Sequence, residues 1–332
     1  MGTKNTKQKN NKLQDNNDIK NNVKNKRIKI NKYVKGVSNL LILQDGRLSC
    51  SYFSGNADLI IYKRNYKDVD LKIDFDSSLS YHIQLNNGNI VTSSYDNNIR
   101  IIKLLEPKNY KVIQTLNDHT NYVLKILEFK KNNIISCSFD QTMKIFMLKN
   151  EIYHCTQSII ICQSDEDYSH LLFTNYYNEI MTSSYNYKYI KIWNIKNIDK
   201  IQLKTCIKNI PIKNWGNSMT KIKDKLFVGT QDHGICIINL KTYQKVYIIE
   251  QNLWDITSII NLKNDYLMVG SYSNRESSII KFKYENNKLL EIDSKNIKKK
   301  ENIYDMILLN NGEVIISLIL DLELMCYHKI II

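Results

Sequence analysis

Ile134–Met147, IISCSFDQTMKIFM, holds two short β-type runs, Ile134–Ser138 and Thr142–Met147, on either side of a polar turn at Phe139–Gln141. Upstream, His119-Thr120 opens another apolar run. Short runs rich in β-branched and aromatic residues, broken by a polar turn, spell a small antiparallel sheet.

The same pattern returns along nearly the whole chain. It reads VTSSYDNNIRIIKL from Val91, MTSSYNYKYIKIWNI from Met181, FVGTQDHGICIINL from Phe227 and MVGSYSNRESSIIKFKY from Met268. Degenerate copies are LSCSYFSGNADLIIYK from Leu48 and VIISLILDLELMCY from Val314. The last small residue before each turn serves as a ruler: Ser51, Ser94, Ser138, Ser184, Thr230, Ser271 and then Leu318, at intervals of 43, 44, 46, 46, 41 and 47 residues. A strand-built period in the low-to-mid forties is the signature of a β-propeller with four strands per blade. One blade has two faces to cover and buries neither alone, so blades stack around an axis until each has two neighbours. The expectation is an all-β, seven-bladed β-propeller of four-stranded antiparallel blades. The apolar pairs Ile101-Ile102, Ile145-Phe146, Ile192-Trp193 and Ile237-Ile238 are placed to fill the space between blades. Small residues before each turn let the inner strands crowd near the axis.

Composition fits one globular body plus a tail. At 332 residues and 43% hydrophobic content the chain is long and apolar enough for a closed repeat core. With only two prolines and ten glycines, its turns fall to Asn and Asp, as at Asn86-Asn87-Gly88 and Asp96-Asn97-Asn98. The seven cysteines form no CxxC pair, and Cys137, Cys236 and Cys326 sit inside strand-like runs, which reads as a reducing, cytoplasmic setting. His154-Cys155 with Cys162 is the nearest approach to a metal cluster and lacks the ligand spacing of one. No metal or other cofactor is implied. No apolar run approaches the roughly twenty residues of a membrane helix, and no signal peptide opens the chain.

Residues 1–26 are a separate Lys/Asn-rich basic tail, too poor in apolar side chains to order itself. Residues 1–35 carry eleven Lys or Arg against Asp15 and Asp18, a local +9 of the chain's +14. Met1-Gly2-Thr3-Lys4-Asn5-Thr6 matches the N-myristoylation pattern at Gly2, and the lysines up to residue 12 supply the second, electrostatic signal that a single acyl chain needs on an anionic membrane. Chance matching in an Asn/Lys/Thr-rich tail is the competing explanation. No aromatics are interleaved with these lysines, which weighs against nucleic acid. From residue 27 to 332 the chain reads as the propeller. In RIKINKY, Arg27–Tyr33, Ile28 and Ile30 alternate with polar residues. Residues 27–34 are therefore expected to close the ring as the outer strand of the last blade, which otherwise lacks a fourth.

Asn117–Phe129, NDHTNYVLKILEF, followed by Ser136–Phe146, SCSFDQTMKIF, resembles a WD (WD40) repeat: Gly-His, an inner strand, Ser-x-Asp-x-Thr, and a third strand ending in Trp-Asp. The resemblance extends over about 300 residues and is strongest in the third and fourth copies. It implies a buried hydrogen-bonded tetrad, for which His119, Ser136 and Asp140 stand in place while Phe146 replaces the donor tryptophan. Asp118 replaces the glycine, and Trp193-Asn194 is the best version of the final dipeptide.

Fold alone does not assign function. The six histidines fall at unrelated repeat positions, and no nucleophile, base and acid recur together. Asp96, Asp140 and Asp232 share one repeat position where a turn needs an acid. Aromatic residues also recur. Tyr52, Tyr95, Phe139, Tyr185 and Tyr272 precede the turn acid position in successive copies, and Tyr122, Trp215, Trp254 and Tyr304 lie beside inner strands. The resemblance places such residues on the narrow face where partner peptides dock, and Tyr and Trp dominate interface hot spots. The sequence therefore points to a noncatalytic scaffold or adaptor that binds other proteins and takes no small-molecule substrate. Attachment to the cytoplasmic face of a membrane follows if Gly2 is acylated. The alternative is a propeller enzyme with its active site in the channel.

Overall fold

The computed structural model describes residues 30–53, 57–105, 108–129, 132–161, 174–176, 179–183, 188–194, 206–212, 216–231, 234–249, 253, 255–273, 276–297 and 301–320. The basic tail, Gly2, Tyr185, Trp215 and Trp254 lie outside them.

The described chain is all β. After β1 (Ile30–Lys35), a first sheet comprises β2 (Val37–Ile42), β3 (Leu48–Tyr52), β4 (Ala57–Tyr62) and β5 (Val69–Phe75). A second holds β6 (Leu79–Gln84), β7 (Ile90–Ser94), β8 (Ile99–Leu105) and β9 (Asn109–Leu116). A third holds β10 (Val123–Phe129), β11 (Asn133–Ser138), β12 (Thr142–Lys149) and β13 (Ile152–Ile160). The fourth is β14 (Thr174–Tyr176), β15 (Glu179–Ser183), β16 (Tyr189–Asn194) and β17 (Cys206–Pro211). The fifth is β18 (Gly216–Ile222), β19 (Lys225–Thr230), β20 (Ile235–Asn239) and β21 (Gln244–Ile249). The sixth is β22 (Asp255–Asn261), β23 (Tyr266–Ser273), β24 (Glu276–Glu285) and β25 (Lys288–Ile297). The last sheet joins β26 (Glu301–Leu308) and β27 (Val314–Leu320) to β1.

Six sheets are thus four-stranded antiparallel blades, one fewer than the seven expected. The seventh sheet has three described strands, and β1 is not its fourth, outer strand. It lies directly beside β27 and parallel to it, with Tyr33 opposite Ile316 and Lys35 opposite Leu318. What differs is the place of β1 and not its polarity. A fourth strand of an antiparallel sheet runs in the same direction as the second, so β1 keeps its direction when it takes the place next to β27. Gly36 makes the turn into β2 with φ +67° while its N–H bonds Leu318 O at 3.0 Å.

Alternation along the third strand of each blade sends neighbouring side chains to opposite faces. Ile101, Ile145, Ile192 and Ile237 pack toward the following sheet, and Ile102, Phe146, Trp193 and Ile238 toward the preceding one. All are buried, at 4% exposure or less. Burying each such side chain contributes about 1.5–3 kcal/mol. A further cluster, with Val37, Leu40, Leu48 and Cys50 facing Leu309 and Ile315, packs the last sheet against the first.

Nearer the axis, one column of small residues recurs in register: Ser51, Ser93, Cys137, Ser183, Gly229, Gly270 and Ser317. Members of this column meet the inner strand of the next sheet. Ser51 Oγ faces His82 Nδ1 at 3.1 Å, Ser183 Oγ lies 3.1 Å from Gly216 N, and Ser317 Oγ donates to Val37 O at 2.6 Å. A Cβ on Gly270 would stand 2.7 Å from Ile303 Cγ2, and one on Gly229 would overlap Ile256 outright.

Two outcomes are expected. Gly229→Ala should cost about 2–3 kcal/mol in denaturant unfolding, because Ile256 has no room to retreat. Deleting residues 1–35 should lower the melting temperature by several degrees, whereas deleting 1–25 leaves it within about a degree; equal values would separate β1 from stability.

Candidate functional site: the aromatic arc and the channel beneath it

The tetrad expected in the third blade is present in its hydrogen-bonded part. His119 Nδ1 lies 2.6 Å from Asp140 Oδ2 and its Nε2 2.7 Å from Ser136 Oγ. Asp140 also receives Thr142 N at 2.9 Å and the Thr142 hydroxyl at 2.6 Å. Burial would raise the Asp140 carboxyl, but the bond to His119 and the donors from Thr142 outweigh it and hold it at about 2. Phe146 fills the tryptophan place as a fully buried ring. The missing half stands in the next blade, where Trp193 Nε1 donates to Thr182 Oγ1 at 3.0 Å. These groups, with Asp96 capping its own turn through Asn98 N at 3.0 Å, hold turns rather than ligands.

Those turns position a chain of rings. Tyr304 meets Phe53 edge-on at 4.9 Å between centroids, Phe53 lies 6.5 Å from Tyr95, Tyr95 meets Tyr122 at 5.2 Å, and Tyr122 meets Phe139 at 6.0 Å. The rings come from the seventh, first, second and third sheets and form one arc at the end where the inner strands begin. None is fully buried. Tyr95, Tyr122, Phe139 and Tyr304 are residues the sequence singled out. Phe53 is one it missed.

Register shows why. Val37 pairs with Tyr52 as Leu79 pairs with Ser94 and Val123 with Ser138. Tyr52 therefore occupies the place of the small residue before the turn, and Phe53 the place of Tyr95 and Phe139. The backbone repeats the equivalence: Phe53 N bonds Gly36 O, Tyr95 N bonds Ser78 O and Phe139 N bonds Tyr122 O, at 2.9–3.1 Å. Tyr52 turns instead into the contact between the last and first sheets, its hydroxyl 2.9 Å from that of Tyr62. Tyr272 takes the arc position in the sixth sheet.

Below the arc the inner strands share a β-bulge. The register skips one residue at Ser38, Ser80, Leu124, Asn217, Thr257 and Tyr304. A bulge re-aims the side chain that follows it. Here those side chains are Asn39, Tyr81, Lys125, Ser218, Ser258 and Asp305. Four of them, from the seventh, first, second and third sheets, make polar contacts in two pairs. Lys125 Nζ sits 3.7 Å from the Tyr81 ring centroid, a cation–π contact. Asp305 Oδ2 accepts Leu40 N at 2.8 Å and Asn39 Nδ2 at 3.4 Å, and its Oδ1 accepts Met306 N at 2.9 Å. Asn39 Oδ1 in turn takes His82 N at 3.1 Å. Burial pushes the Lys125 ammonium down to about 8, with the Asp305 charge opposing, and burial raises the Asp305 carboxyl against the pull of Leu40 N–H and Lys125. Nothing in the sequence marked this cluster.

A separate cleft of about 400 Å³ opens between the first two blades, where Arg47 is already paired with Asp45 and Asp70 at 2.7 Å each. Among the described residues no three metal-ligating side chains converge, and no helix is long and apolar enough to cross a membrane.

No family model matches the chain, and no curated protein does. Solved structures do. The WD40 β-propeller domain of Doa1 superposes with a TM-score of 0.63 at 16% identity, covering 87% of this chain and 91% of that one. The fold is that of a WD40-type β-propeller. A chain of the mitotic checkpoint complex matches the propeller with a TM-score of 0.63 at 11% identity over 85% of this chain and 81% of its own. The computationally designed protein Ika8 matches with a TM-score of 0.61 at 14% identity, covering 84% and 82%. At such identities the propeller is shared, and the side chains of its site are this chain's own.

Lys125 gives the propeller a signature in alkaline pH. Its folded value lies below the ordinary 10.4, so between about 8 and 10.4 only the unfolded chain keeps this proton, and stability rises with pH across that window. At pH 7 both states hold the proton and the folded state bears the burial cost. Lys125→Met should therefore be more stable than wild type at pH 7, by about 1–3 kcal/mol after solvent screening of this half-buried group. The gap should shrink toward pH 10 in paired denaturant titrations.

Proposed function

We propose that the chain is a noncatalytic interaction platform that docks partner proteins on the aromatic arc. In this reading the three-stranded sheet is the seventh blade of a closed ring, and the protein works in the cytoplasm. The carrying observation is the continuity of Tyr304, Phe53, Tyr95, Tyr122 and Phe139: five touching rings, none fully buried, spread over four sheets. Core aromatics pack within one interface between sheets, whereas this row runs across several. Edge-to-face rings hold each other still, so a partner meets a large apolar surface that loses little entropy on binding. One of the similar structures is a chain of a complex, the mitotic checkpoint complex, and that likeness supports protein partners in general terms. Myristoylation at Gly2 with the lysines behind it would add a membrane tether, a reading that rests on the sequence pattern.

Affinity capture from the native host with wild type and with a Tyr95→Ala/Tyr122→Ala/Phe139→Ala variant tests the docking face. Partners retained by wild type should drop at least tenfold on the variant while both melt as cooperative units. An unchanged set of bound proteins would sink the arc as the docking face.

A further inference from the structure

The cleft of about 400 Å³ between the first two blades lies at the end opposite the arc, where β2, β4 and β8 finish. The β2–β3 turn brings Asp45 and Arg47 to it, the β4–β5 turn Arg64, and the β8–β9 turn Lys108, with Leu71 and Leu105 as apolar lining. Arg47 is fully engaged by the two acids of the cleft. Its guanidinium reaches Asp45 Oδ2 and Asp70 Oδ2 at 2.7 Å each, and Asp45 Oδ1 accepts Arg47 N at 2.9 Å. Burial opposes the charge on Asp45, but the bonds to Arg47 and the charges of Arg47 and Arg64 outweigh it and hold the carboxyl below its usual value. Arg64 crosses Gly46, where a Cβ would lie 3.7 Å from its Nε and 3.9 Å from its Cγ and Cδ, so its stem rests on the β2–β3 turn. Among the described residues neither Arg64 nor Lys108 has a hydrogen bond or an ion pair.

The chemistry of an occupant follows from this inventory. Three cations against two carboxylates leave the cleft one positive charge, and that charge sits on the two side chains that lack partners. A cation would face Arg64 and Lys108. A phosphomonoester, with about −1.5 to −2 at neutral pH, overshoots the one charge and faces Asp45 and Asp70. A carboxylate balances the site, and an arginine fork beside a lysine is a good match for its two oxygens. The leucines add a second demand. Leu105 is 37% exposed, so an apolar group seated against it removes surface from water that the fold leaves wet.

Both demands meet at one place in a polypeptide. An Asp or Glu side chain carries its carboxylate with no apolar group attached beside it, whereas the last residue of a chain bears an α-carboxylate and a side chain on the same carbon. We propose that the cleft between the first two blades captures the free carboxyl terminus of a partner protein ending in an aliphatic residue, with the carboxylate on Arg64 and Lys108 and the last side chain against Leu71 and Leu105. The cleft is at the small end of the range of ligand pockets, enough for a chain end and not for a folded segment. This site stands apart from the arc and does not depend on it: the two lie at opposite ends of the sheets and share no residue.

The test titrates the full-length protein with acetyl-Ala-Ala-Ala-Leu bearing a free carboxylate, read by ligand-observed NMR at low salt. Saturable binding is expected, at least tenfold weaker for the same peptide as its C-terminal amide and at least fivefold weaker when Ser replaces the final Leu. Arg64→Gln and Lys108→Gln should each weaken the free acid at least fivefold. Both side chains are exposed, so these variants should melt within about a degree of wild type. Lys63→Gln, which removes an exposed charge next to Arg64 that does not line the cleft, should bind as wild type does. No saturable binding, equal binding of acid and amide, or an equal loss in Lys63→Gln and Arg64→Gln overturns the proposal. N-acetylleucine binding as tightly as the tetrapeptide makes the ligand a free organic acid and overturns the partner terminus. The Tyr95/Tyr122/Phe139 alanine variant should bind the tetrapeptide unchanged, and a loss there overturns the cleft as the site.

Discussion

One contact recurs from sheet to sheet and everything nearer the axis depends on it: a small side chain before the second-to-third strand turn lies against the inner strand of the next sheet. Where the column holds Ser51, Ser183 or Ser317 the contact is a hydrogen bond, and where it holds Gly229 or Gly270 it is van der Waals packing with no space for a methyl group. The two solutions are interchangeable because both set the same spacing. Sheets brought this close splay outward, and the larger residues Phe146, Trp193 and Phe227 fill the widening gap. The taper of a propeller is thus a gradient of side-chain volume along each strand.

The same closeness explains why the inner strands bulge. A regular strand sends alternate residues to opposite faces, and at the axis both faces are occupied by neighbouring sheets. Skipping one residue re-aims the side chain that follows it. Of the four side chains so placed, Asn39, Lys125 and Asp305 are polar, while the Tyr81 ring also packs against the core between the second and third sheets. The bulge also sets the arc, since Tyr304 is itself a bulged residue and touches Phe53 of the neighbouring sheet.

Legibility in the sequence follows from what repeats. The period is visible because four strands and their turns cost a nearly constant number of residues, and the His119–Ser136–Asp140 network is visible because its chemistry is local to one blade. The arc is legible where Tyr95 and Phe139 follow a single unambiguous small residue. It fails at Ser51-Tyr52-Phe53, where two aromatics are adjacent and only the pairing of Val37 with Tyr52 decides which one faces out. The complementary Thr182–Trp193 bond is hidden because it is half of a motif. The channel cluster is illegible for a deeper reason. Its members share a repeat position but differ in type, so no residue pattern signals them, and their meeting is a product of register alone. The place of β1 escapes in the same way, since alternation of Ile and polar residues marks a strand and not its neighbour.

The place of β1 also constrains how the chain is made. Its partner β27 lies nearly the whole chain away, with Val34 opposite Ser317. At synthesis rates of roughly 5–20 residues per second, β1 waits on the order of 15–60 s before its partner exists. Six blades are able to form from nearest-neighbour hairpins during that interval, but the last sheet waits for β27 before it can take in β1. Until then, β1 and the facing surface of the first sheet stand open. The pairing of β1 with β27 is thus a long-range step governed by chain entropy rather than by local hairpin formation.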